Sequence, residues 1–373
     1  MRPTAYRRDP EPPVLRISRS VGEQSNTSIK FEDRYVLKFL RRLESGPHPE
    51  LEMSKYLAGR GFIRVPPLVA SLEYEQPGAE PTSLAMLQAF VPNQGTAWDP
   101  AVAHARAFLN DKLDAAVEYT AAAALLGKRT AELHLVLSAD HDDPAFAPVT
   151  LTTAHAVALS AAIQRDAEVA LTRLADRLAV LPEAARDRAQ AVLDARAALS
   201  ARISGFASAP GGAWSTRVHG DYHLGQVLAT DQDFVLIDFE GEPTRSLAER
   251  REKRSPLKDV AGMLRSYGYA AATALFELGT ERPDIIAHAE RRARFWEAAV
   301  TEAFVTSYRQ TTEGTKLVPQ DDEGFAQWLD AFLLEKAIYE LDYELASRPH
   351  WVGIPLLGIL RLATLPGGRG LTS

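Results

Sequence analysis

Chemistry-bearing residues concentrate in one stretch, Val218-His219-Gly220-Asp221-Tyr222-His223-Leu224-Gly225-Gln226-Val227, followed by Phe234-Val235-Leu236-Ile237-Asp238-Phe239-Glu240. An aspartate with a side-chain amide five residues on, and a second aspartate closing a later apolar run, is a spacing used for phosphoryl transfer. Asp221, Gln226 and Asp238 fit it. One carboxylate must meet an acceptor hydroxyl, while an amide oxygen and a second carboxylate grip Mg2+, a hard cation that takes oxygen ligands in near-octahedral array. In an extended chain Glu240 points the same way as Asp238, so it is a further candidate metal ligand. Any one of these short motifs alone is as well read as a turn or a strand end; their order and joint occurrence favour the chemistry. His219 is expected to pack and hydrogen-bond beneath the loop. His223 is left between a surface role and a place beside the substrate.

Such a site also needs a cation for the nucleotide phosphates. Lys38, within Tyr35-Val36-Leu37-Lys38-Phe39-Leu40, has the apolar flanks of a phosphate-binding lysine on a strand. It requires an acidic partner on the next helix, and Glu50 and Glu52 are both candidates. Glu52 is the choice, because an acid at Glu50, just after Pro49, is explained by the helix dipole alone. Gly22 to Ser28 carries one glycine and the side chains Gln24, Ser25, Asn26 and Thr27. Between two strands these could meet phosphates with backbone N–H groups and short donors, although such clusters also mark ordinary turns.

The elements that must position these groups divide the chain in two. Residues 14–19, 28–31 and 34–40 read as strands, with Glu32-Asp33 as a tight turn between the last two. Residues 50–60 read as a helix after Pro47 and Pro49; 68–75 and 83–91 read as further strands. From Asp99 the sequence turns to long alanine-rich helices, 101–137 and 154–203, the second broken near Pro182. An extended island at 217–239 interrupts them, and helices resume from Pro256 to about Leu362. The expected fold is α+β and two-lobed, protein-kinase-like. A small antiparallel sheet with one helix (14–91) precedes a larger helical lobe (92–365), flanked by tails at 1–13 and 366–373. The nucleotide is expected between the lobes.

The composition is that of a globular chain, 46% hydrophobic and 24% charged. There are no cysteines, which excludes disulfides, thiolate metal sites and cysteine nucleophiles. A net charge of −7 argues against a nucleic-acid partner. No apolar run is long enough for a membrane span and the opening lacks a signal-peptide core, so a soluble, cytoplasmic protein with no membrane partner is expected.

Taken together, GEQSNTS, VLKFLRR, PELE, VHGDYHLGQVL, LIDFEGEP and AERREKRSPLKDVAGMLRS resemble the maltokinases, relatives of the aminoglycoside phosphotransferases, from about Gly22 to Leu362. The resemblance implies ATP-dependent phosphorylation of maltose at its anomeric hydroxyl to maltose 1-phosphate, feeding glycogen and α-glucan synthesis from trehalose-derived maltose. It makes Asp221 the catalytic base, Gln226 and Asp238 the Mg2+ ligands, and Lys38 with Glu52 the phosphate clamp. Gln88, Phe90 and Val91 match the strand end whose backbone meets adenine, and Asp259 would brace the catalytic loop. The helix-dipole explanation of Asp259 predicts the same sequence, so it stays outside the catalytic set. Lys336, Glu340 and Tyr343 share a helix face by spacing and resemble a sugar site. Stand-alone maltokinases carry an N-terminal cap subdomain before the GEQSNTS segment. About twenty residues precede it here, from which a fragment, a reduced form, or association or fusion with a trehalose synthase is expected. Two alternatives stand beside this reading: a kinase of the same fold for another acceptor, such as glucosamine or an aminoglycoside, and a nucleotide-binding pseudokinase without catalysis. Unpaired acids in the acceptor pocket would favour a cationic acceptor, whereas Lys336 there would oppose it.

Overall fold

The computed structural model describes residues 16–19, 26–111, 114–243, 245–281 and 286–364. Gln24, Ser25, residues 14–15 of the expected first strand and the expected tails 1–13 and 366–373 lie outside the described residues. Contacts divide the chain into two units, Met1–Pro92 and Asn93–Ser373.

In the first unit, β1 (Ile17–Arg19), β2 (Thr27–Phe31), β3 (Tyr35–Phe39), β4 (Leu68–Tyr74) and β5 (Thr82–Ala89) form one sheet in the order β1-β2-β3-β5-β4. Every neighbouring pair is antiparallel. The Glu32-Asp33 turn is tight enough to hold Glu32 at a left-handed φ of 49°, and the Arg34 amide closes it on the Phe31 carbonyl. This register sets Lys38 between Ser28 of β2 and Met86 of β5. Helix α1 (Pro49–Gly59) starts with proline at its first position, where no N–H is needed. It buries Glu50, Met53, Ser54 and Leu57 on one face.

The second unit is helical: α2 (Trp98–Leu109), α3 (Asp114–Leu137), α4 (Thr153–Arg177), α5 (Glu183–Asp194), α6 (Arg196–Gly205), the short α7 (Leu247–Arg250), α8 (Leu257–Glu281), α9 (Ile286–Thr311), α10 (Asp322–Ser347) and α11 (Gly353–Thr364). A short antiparallel pairing of β6 (Val149–Thr150) with β7 (Trp214–Ser215), which brackets α4 to α6, and a hairpin of β8 (Val227–Ala229) with β9 (Phe234–Leu236) interrupt them. Helix α8 is the axis of the core. Leu257, Val260, Ala261, Met263, Tyr267, Ala270 and Ala274 are fully buried, and α2, α9 and α10 pack around it.

The α+β, protein-kinase-like fold class is the one the sequence implied. The helix expected over 101–137 is in fact two, α2 and α3. The Asn110 amide turns back to the Arg106 carbonyl at 3.1 Å, and Asp111 adopts a left-handed φ of 66°, a conformation that a short polar side chain tolerates. Likewise 154–203 breaks after Arg177, at Pro182 and again at Ala195, where no glycine or proline announces it.

Candidate active site

In the first unit, Lys38 Nζ lies 2.5 Å from Glu50 Oε1. The partner is therefore Glu50, not Glu52. Glu50 is fully buried on the face that also carries Met53 and Leu57, so its place at the helix start serves more than the dipole. A buried carboxylate needs a charged partner, and β3 supplies it. Asn26 and Thr27 both face Arg41: Asn26 Oδ1 accepts the Arg41 amide and Thr27 Oγ1 accepts Arg41 Nε. Gln88 is buried within the sheet opposite Val36 and Leu68. The Phe90 amide donates to the Arg34 carbonyl at 2.8 Å, and its ring lies under Lys30 Nζ at 4.0 Å. The Phe90 N–H, in the stretch whose backbone is expected to meet adenine, is thus engaged by the chain that enters β3. Val91 follows in irregular chain.

In the second unit the β8–β9 hairpin explains the twelve-residue spacing of Gln226 and Asp238. Val227 pairs with Leu236, and the Ile237 amide donates to the Gln226 carbonyl, so the two residues flank the open end of one hairpin. Arg129 clamps the other end through both oxygens of Asp233 at 2.7 Å. Gln226 Nε2 donates to Asp238 Oδ2 at 2.9 Å, so the oxygen that Gln226 can offer a cation is its side-chain carbonyl. Asp238 itself has a left-handed φ of 69°, a strained position for a non-glycine residue. The chain turns at 239–240, so the extended-strand alternation invoked for Glu240 does not hold. A carboxylate oxygen of Glu240 nevertheless lies within 4.8 Å of one from Asp238. Two carboxylates and an amide carbonyl are a hard oxygen donor set of the kind Mg2+ takes.

The loop carrying Asp221 is held from below by α8. Asp259 Oδ2 accepts the His219 amide at 2.7 Å, and Oδ1 accepts the Gly220 amide at 2.9 Å. Ser266 Oγ accepts the Leu224 amide at 3.1 Å. His134 Nε2 is 3.0 Å from the same Asp259 carboxylate, with the Tyr308 hydroxyl on its other ring nitrogen. Burial raises the Asp259 pKa, yet His134, His219 and the Gly220 amide outweigh it and keep the group ionised. The bracing role weighed for Asp259 is what this geometry provides; the helix dipole does not require two consecutive loop amides on one carboxylate. Gly220 has φ of 86° and a Cβ there would sit 3.2 Å from Gly241 Cα, so glycine is required between His219 and Asp221. His219 Nε2 donates to the Ile237 carbonyl at 2.8 Å, and its ring packs between Tyr222 and Phe239.

Above the loop, Lys336 of α10 places Nζ 3.1 Å from Asp221 Oδ1 and 3.9 Å from Glu242 Oε1. Lys258 continues the alternation, 3.3 Å from Glu242 and 3.5 Å from Glu335. Burial raises the Asp221 pKa, but the Lys336 ammonium and the nearby His223 and His219 prevail and hold it well below the usual carboxylate range. The reverse balance keeps Lys336 protonated: burial lowers its pKa, and Asp221, Glu242 and Glu340 more than restore it. Burial pushes the His223 imidazole down, and its Nδ1 accepts the Gly225 amide. Glu242, Lys258 and Glu335 had no signal in the sequence, since their alternation exists only across three separate elements. Of the helix-face trio, Lys336 alone reaches Asp221. Glu340 Oε2 is bound by the buried Arg265 through Nε and Nη2 at 2.9 and 2.7 Å. Tyr343 is 45% exposed and lies under the Arg348 guanidinium. A cavity of about 140 Å3 has Lys336 in its wall, its charge met by Asp221 and Glu242, together with Asp166, Glu335, Asp342 and Tyr339.

The phosphotransferase enzyme family matches residues 17–242. The chain belongs to this family. Over 347 residues it is 28% identical to a glucosamine kinase of Streptacidiphilus jiangxiensis, covering 92% of this chain and 72% of the relative. It is 29% identical over 336 residues to a glucosamine kinase of Mycolicibacterium smegmatis, covering 89% and 76%. A solved glucosamine kinase in complex with glucosamine, ADP and inorganic phosphate has a TM-score of 0.75 at 25% identity, covering 95% of this chain and 77% of that one. These phosphotransferase relatives overturn the maltokinase expectation, and with it maltose, the glycogen and trehalose context and the trehalose synthase association. No helix among the described residues is long and apolar enough to cross a membrane.

Proposed function

We propose that this phosphotransferase is an ATP-dependent sugar kinase whose acceptor is glucosamine or a closely similar amino sugar. The observation that carries the phosphoryl-transfer reading is Asp221 on a loop tied to α8, with Gln226 and Asp238 joined at the base of one hairpin. A pseudokinase has no use for that combined arrangement. The relatives named glucosamine kinase support the amino sugar. So does the cavity wall beside Lys336: Glu242, Glu335 and Asp342 already hold Lys258, Lys336 and Arg173, leaving Asp166 as the wall carboxylate with no cation at ion-pair distance among the described residues. An ammonium-bearing acceptor satisfies it.

Lys38, fixed by Glu50, binds the α and β phosphates of ATP. Gln226 Oε1, Asp238 and Glu240 would hold Mg2+, which when bound offsets phosphate charge. Asp221 accepts a hydrogen bond from the acceptor hydroxyl and aims its oxygen at the γ-phosphorus. It takes the proton late, as the new P–O bond forms and the bond to ADP breaks. That order suits a loose transition state in which positioning dominates. Lys336 keeps Asp221 ionised and faces the charge that develops.

The test is a panel of glucosamine, galactosamine, glucose and maltose with ATP and Mg2+, the products resolved by mass. Phosphorylated glucosamine in preference to glucose is expected, with Asp166→Asn raising KM for glucosamine more than for glucose. Turnover of glucose at the same kcat/KM as glucosamine overturns the amino-sugar reading, and failure to consume ATP with any sugar overturns the kinase.

A further inference from the structure

A second cavity, of about 200 Å3, lies among α8, α9, α10 and α11, with Arg265, Arg294, Thr301, Leu333, Gly358 and Leu362 in its wall. Arg265 is 91% buried, since its relative exposure is 9%. A buried guanidinium has five N–H donors to satisfy, and both bonds that Arg265 makes, through Nε and Nη2, go to Glu340 Oε2. Nη1 turns the other way, towards Gly358, where even one methyl group would come within 2.4 Å of it. It has no hydrogen-bond acceptor among the described residues and borders the cavity. It is open to the cavity rather than sealed from it, so an anion that enters meets a donor already held in place through Glu340.

The charge and shape of the wall specify that partner. Three guanidiniums, Arg265, Arg294 and Arg361, stand against two carboxylates, Glu340 on Arg265 and Glu297 on Arg361 at 3.1 Å, leaving one net positive charge among the described residues. Arg294 is exposed at the cavity's edge with no ion-pair partner among the described residues. The rest of the wall is apolar, from Leu264, Leu333, Leu362 and Ala298, apart from Thr301. We infer that this cavity binds a small organic carboxylate, its head group on Arg265 Nη1 and Arg294 and its apolar body against Leu333 and Leu362. A monoanion neutralises the single charge; a phosphate dianion overshoots it. The site is separate from the Asp221 loop and does not depend on which sugar the enzyme phosphorylates.

Titration calorimetry of the full chain tests this with phenylacetate as the probe, benzyl alcohol as its uncharged counterpart and acetate as the counterpart that lacks the apolar body, all in saturating Mg-ATP. Phenylacetate is expected to bind once per chain with Kd of about 1 mM or tighter, and benzyl alcohol and acetate at least about tenfold more weakly. Arg294→Glu reverses an exposed charge and leaves the fold alone. Gly358→Ala favours the helix while pushing Arg265 Nη1 aside. Each is expected to weaken phenylacetate at least about tenfold, which is the ratio worth about 1.4 kcal/mol, with an unchanged circular dichroism spectrum. Absence of phenylacetate binding overturns the inference, as does an affinity equal to that of benzyl alcohol or one unchanged in both variants.

Discussion

Replacing Asp259 by asparagine keeps the shape and removes the charge under the catalytic loop. The side chain is fully buried and its two oxygens serve three donors: His219 N–H and His134 Nε2 on Oδ2, Gly220 N–H on Oδ1. Asparagine offers one oxygen. Its better orientation keeps the oxygen towards His219 and His134 and sets its NH2 against the Gly220 N–H, donor against donor. The loss of one bond to a charged acceptor, with a buried N–H left unmet, costs about 2–4 kcal/mol of stability. Relief of the clash moves Gly220, and Asp221 follows it. A displacement approaching 1 Å lowers turnover about a hundredfold. Urea unfolding followed by far-UV circular dichroism gives the first quantity, and initial rates of ADP formation with glucosamine give the second. ATP affinity, measured at equilibrium, should barely change, because the loop backbone and not the phosphate clamp has moved. The pH dependence adds a signature. The folded-state pKa of Asp259 is depressed, so its stabilising contribution is complete above the unfolded value, about 3.9, and is lost as pH falls through the folded value. The asparagine variant lacks that component of the acid transition. Wild-type turnover in a variant with the expected stability loss refutes the positioning argument, and wild-type stability refutes the hydrogen-bond reasoning.

Asp221→Asn should reduce turnover at least about a hundredfold with ATP binding nearly unchanged, as measured by rates and equilibrium titration. Lys336→Met removes the ammonium 3.1 Å from Asp221; burial then dominates, the Asp221 pKa rises, and the acid limb of the kcat/KM profile moves to higher pH. An unmoved limb would show that Lys336 does not set that ionisation. Lys38→Met should weaken ATP binding at least tenfold and destabilise the protein by about 3 kcal/mol, because a buried carboxylate loses its partner. Glu50→Gln should likewise impair ATP binding and Glu52→Gln should have the smaller effect, a comparison that direct titration settles.

The Asp221, Gln226 and Asp238 constellation could be read from the chain because a hairpin is a local structure: the turn between β8 and β9 fixes which residues meet at its base. The strands of the first unit were legible for the same reason, through alternation and turn residues. Glu50 was misread although a signal was present, since residues 50, 53 and 57 share a helix face whose other members are apolar. An acid there is buried, and its helix-start position was a distraction. The break at Ala195 was invisible because helix propensity continues through it, whereas Asn110-Asp111 carried a turn signal that the alanine-rich run around it outweighed. Glu242, Lys258 and Glu335 were beyond reach, as ion pairs between separate elements leave no periodic trace. Glu340 and Lys336 do share a helix face by spacing, yet one binds Arg265 and the other reaches Asp221. A spacing rule gives the face and not the partner.

The attachment of the catalytic loop to α8 has a kinetic consequence. The amides of His219, Gly220 and Leu224 are donated to side chains of the most deeply buried helix in the second unit. Their exchange with deuterated solvent therefore requires opening of the core itself, and these three positions should belong to the slowest-exchanging set. Such a loop has no private softening temperature: as the protein is warmed, the reactive carboxylate stays in register until the whole helical unit gives way.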